Sequence, residues 1–120
     1  MQEIQEGLAH SVEIAHSAGI PDGNIILDPG IGFGKSQEQN LSLINRLDEL
    51  KKLGFPILSG PSRKSFIGQV LGLPVDEREE GTAAAVAVSI LRGADIVRVH
   101  NVEMMVRVAR MVDAILRSRA

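Results

Sequence analysis

The sequence predicts an α/β chain in which a leading helix is followed by three βα units, an α-(βα)3 arrangement. Short apolar runs near residues 24–28, 55–60 and 94–100 alternate with longer stretches whose apolar residues recur at helical spacing. Repeated βα units give parallel strands joined by right-handed crossovers, with helices packed against the sheet. A third observation is chemical. Each apolar run leads into polar residues that are unusual in a core, and in such architectures ligands sit at the strands' carboxyl ends.

Residues 1–18 read as an amphipathic helix with Ile4, Leu8, Val12 and Ala15 on one face, stopped at Gly19. Pro21, Asp22 and Gly23 then turn the chain into the first strand, 24–28. The second helix covers about 38–53, with a stripe of Leu41, Ile44, Leu47, Leu50 and Leu53 closed by Gly54. Residues 55–60 form the second strand, with Pro56 at its entry, where a missing N–H is tolerated. A short helix over 66–71 and a solvated polar loop over 73–81 follow. Thr82 is placed to cap a helix over 83–91, whose Ala83, Ala84, Ala85, Ala87 and Ser89 predict close packing against a neighbour or a second subunit. Gly93 ends it. Period-2 alternation in the third strand, 94–100, sends Ile96, Arg98 and His100 to one face and Val97 and Val99 to the other. A final helix, 102–118, has Val102, Met105, Val106, Ala109, Val112 and Leu116 on its apolar side.

The 120 residues, 44% hydrophobic with a formal net charge of −2, suit one globular domain, and no basic excess points to nucleic acid or an anionic membrane. The chain has no cysteine, which excludes disulfides and thiolate metal sites and fits a reducing cytoplasm. No apolar run approaches the ~20 residues of a membrane span, and the amino terminus lacks a signal peptide's basic start and apolar core.

Three stretches carry chemistry. Asp28-Pro29-Gly30-Ile31-Gly32-Phe33-Gly34-Lys35 places a carboxylate at a strand end, on a turn whose glycines let a flat or anionic ligand approach the backbone. It is not a P-loop, because Pro29 stands where the first glycine belongs. It is not a dinucleotide fingerprint either, because Gly30, Gly32 and Gly34 are evenly spaced. Arg63 and Lys64 precede a helix start, where cations oppose the helix dipole but can, with free N–H groups, form an anion site. Arg98 and His100 share one face of a strand end, which costs burial energy unless a ligand or partner compensates.

Taken together and in this order, the glycine stretch, Gly60-Pro61-Ser62-Arg63-Lys64-Ser65 and Arg98-Val99-His100 resemble the dihydropteroate synthase family. The resemblance covers nearly the whole chain and implies a partial (β/α)8 barrel. Residues 1–120 would form a single C-terminal fragment holding strands six to eight, with 1–18 as the helix before strand six. The family's transferase reaction in folate biosynthesis joins 6-hydroxymethyl-7,8-dihydropterin diphosphate to p-aminobenzoate, releasing diphosphate by an SN1-like path. By resemblance, Asp28 would bind the pterin's amino-pyrimidine edge, with Lys64 bonding the pterin from the other side and helping to position p-aminobenzoate. Phe33 would line the pterin pocket, and Gly60 would count among the substrate contacts. Arg63 would stack over the ring system, Ser65 would meet the p-aminobenzoate carboxylate, and Arg98 and His100 would hold the diphosphate. Catalysis would rest on Asp28, Lys64, Arg98 and His100, since cations stabilise charge as diphosphate departs.

The resemblance also implies Mg2+, whose usual Asn ligand would lie outside this chain, and a cytoplasmic dimer formed through the C-terminal helices. Asn101 departs from the Asp the family usually carries there. With the N-terminal part of the barrel missing, the isolated chain is expected to be inactive and to self-associate. Two other readings stand beside the synthase: a non-catalytic assembly or complementation fragment, and a pterin-dependent methyltransferase domain. The Arg98 and His100 pair favours the synthase, because methyl transfer releases no diphosphate.

Overall fold

The structure is a computed structural model that describes residues 1–119, and helices dominate it. Helix α1 (Gln2–Ser17) lays Ile4, Leu8, Val12 and Ala15 against the core, as its sequence pattern predicts. After a 3-10 turn at Asp22–Asn24, Ile25 and Leu27 point inward, while Ile26 between them is 53% exposed.

Helix α2 (Gln37–Asn45) opens on a capping box: Ser36 Oγ accepts the Gln39 N–H, and the Gln39 side chain accepts the Ser36 N–H. The single helix expected over 38–53 breaks at Arg46 and continues as a 3-10 stretch, Leu47–Leu53. The leucine spacing explains the break. Leu47, Leu50 and Leu53 recur every third residue, the period of a 3-10 helix, which keeps them on one face where an α-helix would let them drift. Leu47 and Leu50 are fully buried. Leu41, one step earlier on the α-helical part, drifts to the surface at 41% exposure, and Leu43 takes its place inside.

Strands β1 (Leu58–Ser59) and β2 (Ile96–Val97) pair in parallel, Leu58 opposite Ile96 and Ser59 opposite Val97. The first expected strand contributes only a parallel bridge, Leu27 opposite Ile57, made by Leu27 N–H to Pro56 O and Leu58 N–H to Leu27 O. The three strands of the sequence reading are thus corrected to a two-stranded sheet and a bridge. Prolines account for the short ladders: Pro29, Pro56 and Pro61 flank the pairings and have no N–H to extend them.

Helix α3 (Ser65–Leu71) is followed by a 3-10 turn, Val75–Glu77, and by helix α4 (Glu79–Leu91). The segment 73–81, expected as a solvated loop, is exposed over 74–77 but coils into that 3-10 turn and enters α4 at Glu79. Because α4 starts at Glu79, Thr82 is not its cap but lies fully buried in its first turns, and Glu79 and Glu80 complement the helix dipole instead. Helix α5 (Val102–Arg117) packs along α4. Asn101 Oδ1 caps α5 by accepting the Met104 N–H, a role that Asn and Asp fill equally well.

The core joins Ile25, Leu27, Ile31, Leu43, Ile44, Leu47, Leu50, Ile57, Phe66 and Ile67 between the strand segments and α2 and α3. Each fully buried aliphatic side chain contributes about 1.5–3 kcal/mol. Ile57 lies on this covered side, whereas Ile26 and Ile96, at 53% and 37% exposure, belong to the open one. A buried hydroxyl pair, Ser59 Oγ and Ser89 Oγ at 2.9 Å, ties β1 to α4. Ahead of β1 and β2, Asp95 Oδ2 accepts the Ile57 N–H at 2.9 Å and the Lys51 Nζ at 2.5 Å. Burial pushes the Asp95 carboxyl up, but Lys51 and the Ile57 N–H together outweigh it and hold it below the usual aspartate range. Among the described residues no helix is long and apolar enough to cross a membrane.

Candidate functional site

The ends of the three strand segments bring Asp28, Phe33, Lys64 and Arg98 together. Asp28 Oδ1 accepts the Gly30 N–H at 2.9 Å, closing a local turn, and Oδ2 accepts Arg98 Nη1 at 2.9 Å. Each oxygen keeps a lone pair for a further donor. Arg98 crosses Gly60 so closely that a Cβ there would lie 2.5 Å from Nη2.

The glycine loop is held from within and from α2. Gly32 adopts φ +87°, a left-handed conformation that favours glycine, and donates its N–H to the buried Asn40 Oδ1 at 2.7 Å. Asn40 is a loop-shaping residue that sequence reasoning missed; its signal was a polar residue inside the first turns of an otherwise apolar-faced helix. Lys35 donates to Gly30 O at 2.7 Å and Phe33 O at 3.0 Å, so it staples the loop.

Lys64 reaches across from the second strand end. Its stem runs over Gly32, where a Cβ would lie 2.6 Å from Lys64 Cδ, and its Nζ donates to Ile31 O. The same amine sits 4.6 Å from the centroid of the Phe33 ring, a cation–π contact. Burial, then the nearby Arg98, and more weakly Lys35, lower the Lys64 pKa, while Asp28 partly opposes them. The arrangement is an exposed aromatic face, an ammonium, a carboxylate and a guanidinium on one side of the sheet. It can read a flat heterocycle by its edge and neutralise an anion beside it.

Three other expected residues lie around this cluster. His100 is tied to Ser62: Ser62 Oγ is 2.7 Å from His100 Nδ1 and accepts the His100 N–H at 3.2 Å. The hydroxyl can donate to Nδ1 while accepting the amide, which leaves Nε2–H available as a donor. Ser65 is exposed at the start of α3. Arg63 turns away, its Nε on Glu79 Oε1 at the start of α4. The two cations expected to form an anion site at α3 are thereby divided, Arg63 to Glu79 and Lys64 to the glycine loop.

Two grooves elsewhere hold none of the cluster's polar groups. One, of about 270 Å3, is apolar and lies between α2, α3 and α4. The other, of about 620 Å3, lies between the start of α1 and Lys35 on the loop's far flank.

A family model described as "Pterin binding enzyme" matches residues 1–100, a span that contains every residue of the cluster. This chain belongs to the pterin-binding enzyme family. Among its relatives, the dihydropteroate synthase of Clostridium beijerinckii is 53% identical over 118 residues, covering 98% of this chain and 44% of that protein. The dihydropteroate synthase of Bacillus subtilis is 50% identical over 116 residues, covering 97% and 41%. The solved dihydropteroate synthase of Clostridium difficile, determined in the presence of pteroic acid, superposes with a TM-score of 0.95 at 50% identity, covering 98% of this chain and 45% of that one. The Yersinia pestis dihydropteroate synthase superposes at 0.96 with 37% identity, covering 98% and 56%. The chain thus spans less than half the length of these curated pterin-binding relatives.

Proposed function

We propose that this chain forms the C-terminal, substrate-binding portion of a dihydropteroate synthase, and that its α-(βα)3 arrangement is part of a (β/α)8 barrel. The observation that carries the reading is the meeting of Asp28, Phe33, Lys64 and Arg98, drawn from three separate strand ends, on one open face. Asp28 accepts from the amino-pyrimidine edge of the pterin and is oriented for it by Arg98 and Gly30. Lys64 donates to the pterin from the other side, above Phe33. Ser65, exposed at the start of α3, meets the p-aminobenzoate carboxylate in this reading. The stacking role that the resemblance gives Arg63 requires its guanidinium to leave Glu79.

The chemistry follows from charge. The C–O bond between the pterin's methylene carbon and diphosphate breaks, its electron pair leaving on the diphosphate, where Arg98 and the His100 Nε2–H receive the charge. The arylamine lone pair then forms the new C–N bond, and the nitrogen gives up a proton to solvent water. Magnesium, as the resemblance implies it, would take its Asn ligand from outside this chain. Among the described residues no three His, Cys, Asp or Glu side chains come together to hold a metal ion by themselves. No step is therefore assigned to a metal.

Partners follow from uncovered surface. The open sheet face would meet the N-terminal part of the barrel. Helix α5 exposes Met111 and Ile115 at 63% and 62%, and α4 exposes Leu91, which favours a dimer through these helices. A cysteine-free chain suits the cytoplasm.

The test compares two ligands, with the N-terminal portion supplied. His100→Ala should weaken binding of the pterin diphosphate by roughly 10- to 100-fold, equivalent to about 1.5–3 kcal/mol, and leave the unphosphorylated pterin alcohol almost unaffected, whereas Arg98→Ala, which also frees Asp28, should weaken both ligands but the diphosphate more. Equal losses for both ligands would mean that the pair is structural.

A further inference from the structure

The turn at residues 61–64 is closed by the Lys64 N–H to Pro61 O, and Arg63 occupies its third position with φ +58°. Such a turn ordinarily takes glycine there, because a side chain disfavours the left-handed region. Here the main chain on both sides of that residue is anchored to α4. The Arg63 N–H donates to Thr82 Oγ1 at 3.0 Å, the Arg63 carbonyl accepts Arg78 Nη1 at 3.0 Å, and the guanidinium pairs with Glu79. Arg78 is itself confined, lying against Gly68, where a Cβ would collide with it. From the other side, Ser62 is fastened to His100. We infer that Thr82, Arg78 and Glu79 are positioning residues which hold Arg63 left-handed and so aim Lys64 at the glycine loop.

This rests on the reading of Lys64 as a substrate contact. A lysine stem is long and flexible, and its amine stays over Phe33 only if the root is fixed. Arg63 then serves the turn through its backbone and its Glu79 pair, and the pocket only through its neighbour.

The position of the Lys64 amine can be read without ligand, by labelling the 120-residue chain with an amine reagent across pH and following the Lys64 peptide by mass spectrometry. The groups facing this amine are Asp28, Lys35 and Arg98, and in place it titrates below an ordinary lysine, through burial first and Arg98 second. Thr82→Val removes the acceptor at nearly constant volume and should raise the labelling midpoint toward that of a free lysine. Thr82→Ser should leave the midpoint unchanged. Asp95→Ala, at the far end of the strands, should lower stability without moving it. If Thr82→Val does not fold, Arg78→Lys carries the same expectation of a raised midpoint. An unmoved midpoint in Thr82→Val or Arg78→Lys, or an equal movement in Asp95→Ala, would overturn the inference. A responsive midpoint in a chain that binds no pterin even with the N-terminal portion supplied would count against the proposed function alone.

Discussion

Replacing Asp95 should reveal what holds the strands at the end opposite the site. Asp95→Ala deprives the Ile57 N–H of a charged acceptor, and Ile57 is fully buried, so the loss costs about 1.5–3 kcal/mol. The Lys51 pair adds little. Its partners are 38% and 44% exposed, and solvent screening leaves roughly 0–1 kcal/mol. Asp95→Asn keeps an acceptor oxygen and should lose about 1 kcal/mol or less. The pH dependence has a definite sign. A folded-state pKa held below the unfolded value gives stability that is complete above the ordinary aspartate range and lost as pH falls through the folded value. Urea unfolding followed by circular dichroism should therefore show the full gap between Asp95→Ala and the parent at about pH 7, and a shrinking gap below about pH 4. A gap that is absent at neutral pH, or that widens on acidification, would refute the reasoning.

Gly60→Ala should separate binding from stability. The added Cβ meets the mobile end of Arg98, so the unfolding midpoint should barely move while affinity for a pterin diphosphate falls about tenfold or more; parallel losses would show that Gly60 does not set the guanidinium's place. Lys64→Ala should weaken binding of both substrates in titrations, whereas Lys35→Ala, which releases the loop carbonyls, should act mainly through loop order and cost less affinity. Light scattering of the chain alone should report a dimer or larger species, since Ile26 and Ile96 on the sheet and Met111 and Ile115 on α5 lie open; a monomer at micromolar concentration would remove that expectation.

The fold was legible where periodicity and breakers agreed. The inward faces of α1 and of residues 25 and 27, the alternation in 96–100 and the terminator at Gly54 all follow from side-chain period and backbone preference. The 3-10 stretch was hidden because a three-residue leucine spacing also fits one face of a short α-helix. The start of α4 was hidden because Glu79 and Glu80 read as loop charges until Arg63 is placed beside Glu79. Asp28, Lys64 and Arg98 could be singled out from strand ends alone. Their mutual contacts could not, since residues 28 and 98 meet only after two crossovers. The diversion of Arg63 to Glu79 depends on a left-handed residue that no propensity would place at an arginine.

Helix α4 touches β1 and the turn that follows it, through Ser89 on Ser59 and through Thr82 on the Arg63 amide. These anchors lie about two turns apart, roughly 10 Å along the axis, with the fully buried Val86 between them on the same stripe. The helix therefore works as a ruler, and its length is information in the way a side chain is. Inserting one residue between the anchors would swing one of them by about 100° and leave the other in phase, so either the sheet or the turn would lose its hold. Inserting seven would nearly restore the phase and displace the turn by two helical turns instead. Substitutions among the exposed positions of α4 should be tolerated, while any change in the number of residues between Thr82 and Ser89 should not.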